Sequence, residues 1–433
     1  MDIKYRQFKL ENFVVSLYFF HFDYINQMEY VLCIDLGTYC DNKLMDTAIY
    51  NLKTKYKVVC LTDEKHVLSK DYIKVEFKTP SFMITDETMS IADTSRNFFI
   101  WTLSNVDKAY TAFIWSRTIQ NKLLALLEKY NFKSINIMYP AMGMLWLLPK
   151  NIEIPINIYY YSPAIPSFTI PWLFDSKIKE PTYELYSKNN QEYNKGSWLR
   201  YYRRIAMLKG NNVALQQTLK KLNHFMCWDK FSVPELDYCF DDLKVTYIGA
   251  LINRNVTLVK LPKNVQKFIK SKKKIIYMTF GSYSTSEYLQ PIFPGLMKLL
   301  ESYCVENNAG IIYHVPNVSA FNDSDWLLNT TGFLQYEAIV QVSDLVIFTG
   351  SLCLQNICLS LTTPMVMVPI LTEQYFWSKN YRYFTGVSYI PTDSPFIFNM
   401  KDLKKAFVVN SYVKRVGKSM KATDAAQNIL YNI

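Results

Sequence analysis

The stretch GFLQYEAIVQVSDLVIFTGSLCLQNICLSLTTPMVMVPILTEQYFWSKN (residues 332–380) decides the fold. Its apolar runs LVIF (345–348) and MVMVP (365–369) have strand length and β-branched content, and LCLQNICLSL between them has helical spacing. The turn between the first strand and the helix consists of Thr349, Gly350 and Ser351. In an α/β sheet such a turn is suited to anions, because free backbone N–H groups and the helix dipole point at it. A phosphate-bearing ligand is therefore the first prediction.

Several small motifs follow one another in order along this stretch. They are Gln335 before a helix, Gly350 after a strand, Thr363-Pro364 entering the next strand, Pro369 closing it, and the acid-amide pair Glu373-Gln374. This order resembles the donor-binding signature of the UDP-sugar-dependent glycosyltransferases, the family of glucuronosyltransferases, plant secondary-metabolite enzymes and macrolide glycosyltransferases. The resemblance implies an α/β chain with the GT-B fold, in which two Rossmann-like domains face each other across a cleft.

Length and charge limit the possible organisation and partners. At 433 residues and 50.8 kDa the chain is long enough for two domains of ordinary size. The formal net charge of +11 is concentrated in lysine clusters at 270–274 and 401–421. These clusters are either solvated faces or surfaces that attract an anionic membrane or a nucleotide. No basic-aromatic motif accompanies them, so we predict no nucleic-acid partner, and peripheral membrane contact through the basic C-terminal region stays open.

The eight cysteines show no CxxC motif and no paired metal spacing. Several lie in apolar runs, as buried free thiols do, which favours a reducing, cytoplasmic location without a metal site. The apolar segment FVVSLYFFHF (13–22) contains His21 and is followed by Asp23 rather than by a small-residue cleavage site, so we do not interpret it as a signal peptide. No run has the roughly 18 apolar residues needed to span a bilayer.

Strand and helix patterns divide the chain. Residues 30–61 read as strand, helix and strand, and IIYMTFGS (275–282) resembles the family's Val-Ser-Phe-Gly-Ser strand and loop. The predicted parts are an N-terminal extension (1–27), an acceptor-binding Rossmann-like domain (28–250), a UDP-sugar-binding Rossmann-like domain (251–410) and a C-terminal helix that returns to the first domain (411–433).

The resemblance also implies a donor site. Its residues are Gly281, Ser282, Gln335, Thr349, Gly350, Ser351, Asn356, Glu373 and Gln374. Asn356 stands where the family has a Glu that holds a ribose, and Glu373-Gln374 stands where the family holds the sugar hydroxyls. Gly332 stands where an aromatic residue stacks on uracil, so Phe333 or Trp326 would have to replace it. The UDP-sugar is a substrate, and no other cofactor is implied.

The family's general base is missing from its expected place. In the family a His after the first strand takes the proton of the acceptor hydroxyl, whereas the matching loop here reads DLGTYCDN (35–42). Asp41 is the candidate for a carboxylate base, with Asp35 as the alternative, but an Asp beside a turn also serves as an Asx-turn or N-cap residue. Cys40 is a poorer base at neutral pH and is expected to pack.

Two functions of different class follow. The first is an inverting hexosyltransferase that moves a sugar from a UDP-sugar to a hydroxyl of a small or lipidic acceptor. The second is a catalytically inactive relative that keeps the fold for binding or interaction, because the family histidines are absent both at the base position and at Thr349. An epimerase or sugar-nucleotide hydrolase of the same fold is a third reading, without its usual carboxylates and histidines.

Overall fold

The computed structural model places two parallel β-sheets along the chain. It describes residues 29–35, 39–63, 72–77, 117–138, 145, 147–149, 151–161, 165, 191–192, 195–196, 198–199, 212–229, 238–252, 260–284, 286, 288–315, 321–332, 334–370, 374–378, 388–392, 395–409, 411–423 and 425–432. The central strands of each sheet are buried, and the strands are joined by helices, as is usual for parallel sheets.

The first domain contains a seven-stranded sheet. Its strands are β1 (Tyr30–Asp35), β2 (Lys57–Asp63), β3 (Ile73–Phe77), β4 (Phe132–Met138), β5 (Ile156–Tyr160), β6 (Asn223–Met226) and β7 (Lys244–Tyr247). Its helices in the described residues are α1 (Tyr39–Leu52), α2 (Arg117–Lys129) and α3 (Asn212–Lys221). The strand order is β3-β2-β1-β4-β5-β6-β7 and all pairs are parallel. This is the doubly wound arrangement predicted from residues 30–61.

The second domain contains a six-stranded parallel sheet. Its strands are β8 (Lys274–Thr279), β9 (Ala309–His314), β10 (Leu327–Thr330), β11 (Leu345–Phe348), β12 (Met365–Met367) and β13 (Ser388–Tyr389), and its helices are α4 (Lys263–Ser271), α5 (Phe293–Asn307), α6 (Tyr336–Gln341), α7 (Leu352–Leu361) and α8 (Met400–Ala406). The strand order is β10-β9-β8-β11-β12-β13. Strand, turn, helix and strand therefore occur where the sequence predicts them.

The C-terminal segment, predicted as one helix over 411–433, forms two helices. They are α9 (Ser411–Ala422) and α10 (Ala425–Asn432). Helix α10 packs against α1 of the first domain, and Asn428 Nδ2 donates to the carbonyl oxygen of Ile248 at 3.0 Å. Helix α9 packs on α7 through Gly417, where a Cβ atom would clash with the carbonyl oxygen of Leu359. The chain therefore returns to the first domain after crossing the second.

A buried polar row crosses the core of the first sheet. Asn136, Asn157 and Asn223 are register partners on β4, β5 and β6. Asn157 Nδ2 donates to Asn136 Oδ1 at 2.9 Å, and Asn223 Nδ2 donates to Asn157 Oδ1 at 2.8 Å. Because buried amides are costly without partners, this ladder fixes the register of the three strands.

His224 on β6 is buried next to this row. Its Nε2 donates to the carbonyl oxygen of Leu219 at 2.8 Å, and its Nδ1 accepts from the hydroxyl of Tyr160 at 2.9 Å. Burial lowers the pKa of His224 from its ordinary 6.5 to about 4, although the bond to Leu219 acts in the opposite direction. The folded protein therefore holds this imidazole neutral.

We predict that His224 makes the fold sensitive to mild acid. The unfolded chain takes up a proton below about pH 6.5 while the folded chain resists it, so stability is full above that pH and falls toward pH 4, by about 3 kcal/mol in total. Urea unfolding midpoints at pH 8, 6.5 and 5 should decline more steeply for the wild type than for His224→Gln. Equal declines would show that this histidine does not control the acid sensitivity.

Candidate functional site

The order of strands in the second sheet marks one position where a ligand can bind. Chain order reverses between β8 and β11, so the crossover helices leave a crevice outside the carboxyl ends of these two strands. Gly281 follows β8 with φ +56°, and Gly350 follows β11 with φ +98°. Both turns adopt backbone conformations that favour glycine, and in such turns the main chain can approach a ligand closely.

The turn at Gly350 is tightly supported on one side. A Cβ atom at this position would lie 3.4 Å from Ser378 Oγ and 3.6 Å from Gln374 Cβ. Thr349 is buried, and Ser351 is the N-cap residue of α7 without a capping bond from its side chain. The ten-residue helix α7 thus begins at the crevice with first-turn N–H groups that Ser351 does not cap, which is the arrangement that binds anions.

Gln355 stabilises the same turn from within α7. Its Nε2 donates to the carbonyl oxygen of Gly350, while its Oε1 is buried without a hydrogen-bond partner. A buried acceptor without a partner costs free energy, so this orphaned oxygen beside the turn is the kind of group that a bound donor would satisfy. The sequence prediction did not include Gln355, and an amide inside an apolar helix was the available signal.

Gln374, predicted to hold a sugar hydroxyl, closes the turn that follows β12. Its Oε1 accepts from the backbone N–H of Ile370 at 2.9 Å, and its side chain is buried beside Gly350. Glu373 lies outside the described residues, so its predicted role stays a prediction. Of the acid-amide pair, the structure therefore places Gln374 beside the Gly350 turn.

Asn356, predicted to bond a ribose, faces the first domain. Its Nδ2 donates to the carbonyl oxygen of Cys227 at 3.4 Å, and its Oδ1 is buried without a partner. Cys227 directly follows β6, so the bond crosses between the domains. The assignment of Asn356 to a ribose remains a prediction, and a ligand contact there would have to use an amide that already joins the two domains.

Aromatic packing adds to this junction between the domains. The rings of Trp228 and Trp377 meet edge to face with centroids 5.3 Å apart, and both side chains are buried. Ser419 Oγ on α9 donates to Asp229 Oδ2 at 3.2 Å. Trp377 belongs to the same segment as Gln374 and Ser378, so the junction and the Gly350 turn share a support. Trp228 was not predicted, because nothing in its local pattern indicates a contact 149 positions away.

The remaining donor-site predictions are partly placed. Gln335 is the N-cap residue of α6 and is buried, as expected for a Gln before a helix. Ser282 lies in the short 3₁₀ turn Gly281–Tyr283, but its side chain is outside the described part of the structure. Phe333 is outside it as well. Gly332 is exposed with φ +81°, and Trp326 packs on the core of the second domain.

The candidate base lies near the corresponding switch point of the first sheet. Chain order reverses there between β1 and β4. Asp35 is the fully buried last residue of β1, and Asp41 falls in the first turn of α1 rather than in a loop. The side chains of Asp41 and Cys40 are outside the described residues. The role of Asp41 therefore stays a prediction.

Thiol chemistry is disfavoured in the described part of this domain. Burial raises the pKa of the Cys33 thiol far above its usual value, and the charge of Asp35 adds to the rise. Burial likewise raises the pKa of Cys60 and of Cys227. These cysteines are packing residues, because the reactive form of a cysteine is the thiolate. Among the described residues no group of three or more His, Cys, Asp or Glu side chains is arranged to hold a metal ion.

Sequence comparison finds no relative, whereas structural comparison finds a fold. No protein-family model matches the sequence, and no curated protein is similar to it. The glycotransferase of kitacinnamycin is similar over 94% of this chain and 98% of its own, with 12% identity and a TM-score of 0.60. A UDP-glucosyltransferase from Polygonum tinctorium capable of glucosylating indoxyl is similar over 94% and 97%, with 9% identity and a TM-score of 0.58.

A third structure extends this likeness. The spinosyn rhamnosyltransferase SpnG, solved with spinosyn aglycone, is similar over 93% of this chain and 99% of its own, with 11% identity and a TM-score of 0.57. At such low identity the likeness establishes architecture. The resemblance inferred from residues 332–380 is therefore confirmed at the level of the fold, and the chain has the two-domain GT-B fold of these sugar transferases along nearly its whole length.

Proposed function

We propose that this protein transfers a sugar from a nucleoside diphosphate sugar, most simply a UDP-sugar, to a hydroxyl of a small or lipidic acceptor, with inversion at the sugar carbon. The observation that carries the proposal is the likeness to sugar transferases from end to end of the chain, with the Gly350 turn and the start of α7 at the switch point of the second sheet. A fold shared by many functions needs such a site before it supports one activity.

The second domain would hold the donor. The N–H groups at the start of α7, together with the hydroxyls of Thr349 and Ser351, would bind the diphosphate and stabilise its charge as it leaves. Gly281 would let the backbone of the β8 turn approach the ligand, with Ser282 beside it. Gln335 would contact the nucleoside side of the donor. This arrangement assigns charge stabilisation to a helix terminus and requires no metal ion.

The sugar and acceptor would meet between the domains. Glu373 and Gln374 would orient the sugar hydroxyls, since the Gly350 turn packs directly on Gln374. Asp41 would take the proton from the acceptor hydroxyl as that oxygen attacks the anomeric carbon and the bond to the diphosphate breaks. The proton ends on the carboxylate and the electron pair leaves with the diphosphate, so the reaction balances without a co-reactant.

The second candidate is a non-catalytic binding or interaction module with the same fold. A specific observation favours it, because the chain has four histidines, none of them in the loop after β1. Of these, His224 is fully occupied in the core of the first sheet. Losing a general base typically costs 10²–10⁴-fold in rate, which is enough to separate binding from turnover.

We expect calorimetry to detect binding of UDP or TDP; TDP is included because SpnG has also been solved with thymidine diphosphate. The UDP-sugars to test are UDP-glucose, UDP-galactose, UDP-N-acetylglucosamine and UDP-glucuronate. Glu373→Ala should lower the affinity for whichever of them binds and leave the affinity for UDP unchanged, because the substitution removes only contacts to the sugar. If no nucleotide binds, the proposed donor site is wrong and the non-catalytic interaction module is the remaining candidate.

For turnover we predict that Asp41→Asn lowers the rate of sugar transfer by about 10²–10⁴-fold without changing UDP affinity, because it removes only the proton acceptor. Asp46→Asn, on the same helix, is the matched control and should retain activity. The measurement is release of UDP in the presence of an acceptor library. Nucleotide binding without turnover in the wild type would support the non-catalytic module.

A membrane surface is a further partner, and we infer that the protein contacts anionic lipid through one basic face. This face consists of Lys270, Lys272, Lys273, Lys274, Lys401, Lys404, Lys405, Val305 and Val408. The lysines of 270–274 and those of 401–405 are brought together at Phe407. Lys274 Nζ lies 4.8 Å from the ring of Phe407, and this ring stacks on Tyr303 with centroids 4.9 Å apart. Val305 and Val408 are 70% and 71% exposed, so two apolar side chains project into solvent, and Lys404 Nζ lies 4.0 Å from Glu306 Oε2, next to Val305 in the chain.

No described helix is long and apolar enough to cross a bilayer, so this contact would be peripheral. Seven described cysteines are free and buried, which supports a reducing, cytoplasmic location where the facing leaflet is anionic. A basic face with exposed apolar residues has the chemistry of such a surface, because lysines near anionic lipid contribute roughly 1 kcal/mol each.

We predict that the protein co-sediments with vesicles containing phosphatidylserine and not with pure phosphatidylcholine vesicles. Lys404→Glu with Lys405→Glu should reduce binding by about tenfold or more, since two favourable charges become unfavourable. Lys220→Glu with Lys221→Glu on α3 changes net charge equally and is the control. If both pairs reduce binding alike, net charge rather than this face attracts the vesicles.

A further inference from the structure

His314 forms a hydrogen-bonded bridge between the second sheet and the loop before α6. The hydroxyl of Tyr277 on β8 donates to Nδ1 of His314 at 2.9 Å, and Nε2 of His314 donates to the carbonyl oxygen of Gly332 at 2.8 Å. The two rings stack with an interplanar angle of 29°. Since a carbonyl can only accept, the proton must be on Nε2, and the tyrosine hydroxyl then satisfies Nδ1. The bridge therefore selects one tautomer.

The bridge lies on the crevice side of the sheet. His314 is the last residue of β9, so its side chain sits at the carboxyl edge. Gly332 lies between the end of β10 at Thr330 and the start of α6 after Gln335. The backbone N–H of Val315 donates to the carbonyl oxygen of Thr330 at 3.1 Å, which continues the pairing of β9 with β10 up to the residue before this loop. Residues 331–332 and 334–335, called here the Gly332 loop, are thus held to β9 through Gly332.

Geometry directs a nucleotide toward this loop. With its diphosphate at the start of α7, a donor would have its sugar on the β12 side, where Gln374 packs against Gly350, so its nucleoside end would extend to the other side. On the other side lie β8 and β9, each about 4.8 Å further along the sheet edge. A nucleoside extending in that direction would pass the ends of these two strands, about 10 Å in all, and come to His314 at the end of β9, which holds Gly332. Gly332 itself is exposed and could meet the ligand.

We propose that His314 is a positioning residue for nucleotide binding, in that it holds the Gly332 loop in the conformation that receives the nucleoside end of the donor. The proposal rests on the proposed function. Gly332 has no side chain and has φ +81°, so its backbone carbonyl is the group through which the loop can be fixed. Fixing the loop before binding removes an ordering cost that the ligand would otherwise have to offset.

The first domain supplies a matched control. His224 makes the same pair of bonds, to a tyrosine hydroxyl and to a backbone carbonyl, but its carbonyl partner belongs to Leu219 in α3. It lies near the amino end of β6, at the opposite edge of its sheet from the crevice. A substitution at His224 should therefore disturb folding stability without reaching the nucleotide.

The test compares UDP affinity by calorimetry and thermal unfolding for His314→Leu, His314→Gln, Tyr277→Phe and His224→Leu. His314→Leu should weaken UDP binding by about threefold to tenfold, the equivalent of one hydrogen bond. His314→Gln should restore most of the affinity, because its amide can donate to Gly332. Tyr277→Phe should weaken UDP less, and the effects of Tyr277→Phe and His314→Leu should not add, because both act through one bridge. His224→Leu should lower the unfolding temperature and leave UDP affinity unchanged.

The possible outcomes distinguish a failure of the His314 proposal from a failure of the proposed function. If the wild type binds neither UDP nor TDP, the proposed function fails and this inference with it. If the wild type binds UDP and His314→Leu binds equally well, His314 has no positioning role and the proposed function stands. Equal losses in His314→Leu and His224→Leu would also overturn it. Should His314→Leu fail to fold, Tyr277→Phe keeps the ring and decides the question by the same measurement.

Discussion

Burial of helix α7 is the constraint on which the rest of the structure depends. Residues 352–360 are all buried, so the helix has no solvent-exposed face and packs against other elements on every side. Its start forms the Gly350 turn, its middle joins the first domain through Asn356, and its last turn receives α9 at Gly417. One element thus holds the candidate donor site, the domain junction and the returning C-terminal segment. A shift of α7 would move all three together, which links nucleotide binding to the relation between the domains.

The strand-turn-helix core was predictable because its signals are local. The runs at 345–348 and 365–367 carry strand-like residues, the segment between them has helical spacing, and Gly350 stands in the turn where a positive φ is needed. The tertiary partners were not predictable in this way. Asn356 meets Cys227, 129 positions away, and its bond depends on how two domains pack rather than on any pattern within α7. The two tyrosine–histidine pairs depend likewise on neighbouring strands that only the folded sheet brings together.

The same distinction explains how the fold persists at 9–12% identity. A buried parallel sheet accepts many aliphatic and aromatic residues provided that volume and strand period are kept. The turn at a switch point accepts fewer, because its φ angles and close approaches exclude most side chains. Gly350 is such a position, because its φ is +98° and an added Cβ atom would lie 3.4 Å from Ser378 Oγ. The backbone of this turn is suited to an anion whichever side chains stand beside it.

The position of Asp41 defines what catalysis would demand of this fold. Asp41 belongs to the first turn of α1, the helix that follows the switch-point strand β1. A sugar-acceptor hydroxyl gives up its proton only as its oxygen bonds to carbon, so such a base must act late and in a site from which water is excluded. The buried tryptophan pair and the Asn356 bond join the two domains through elements that also support the Gly350 turn. Turnover with Asp41 as the base would therefore depend on how closely the domains approach each other, because their approach would have to exclude water and align the acceptor.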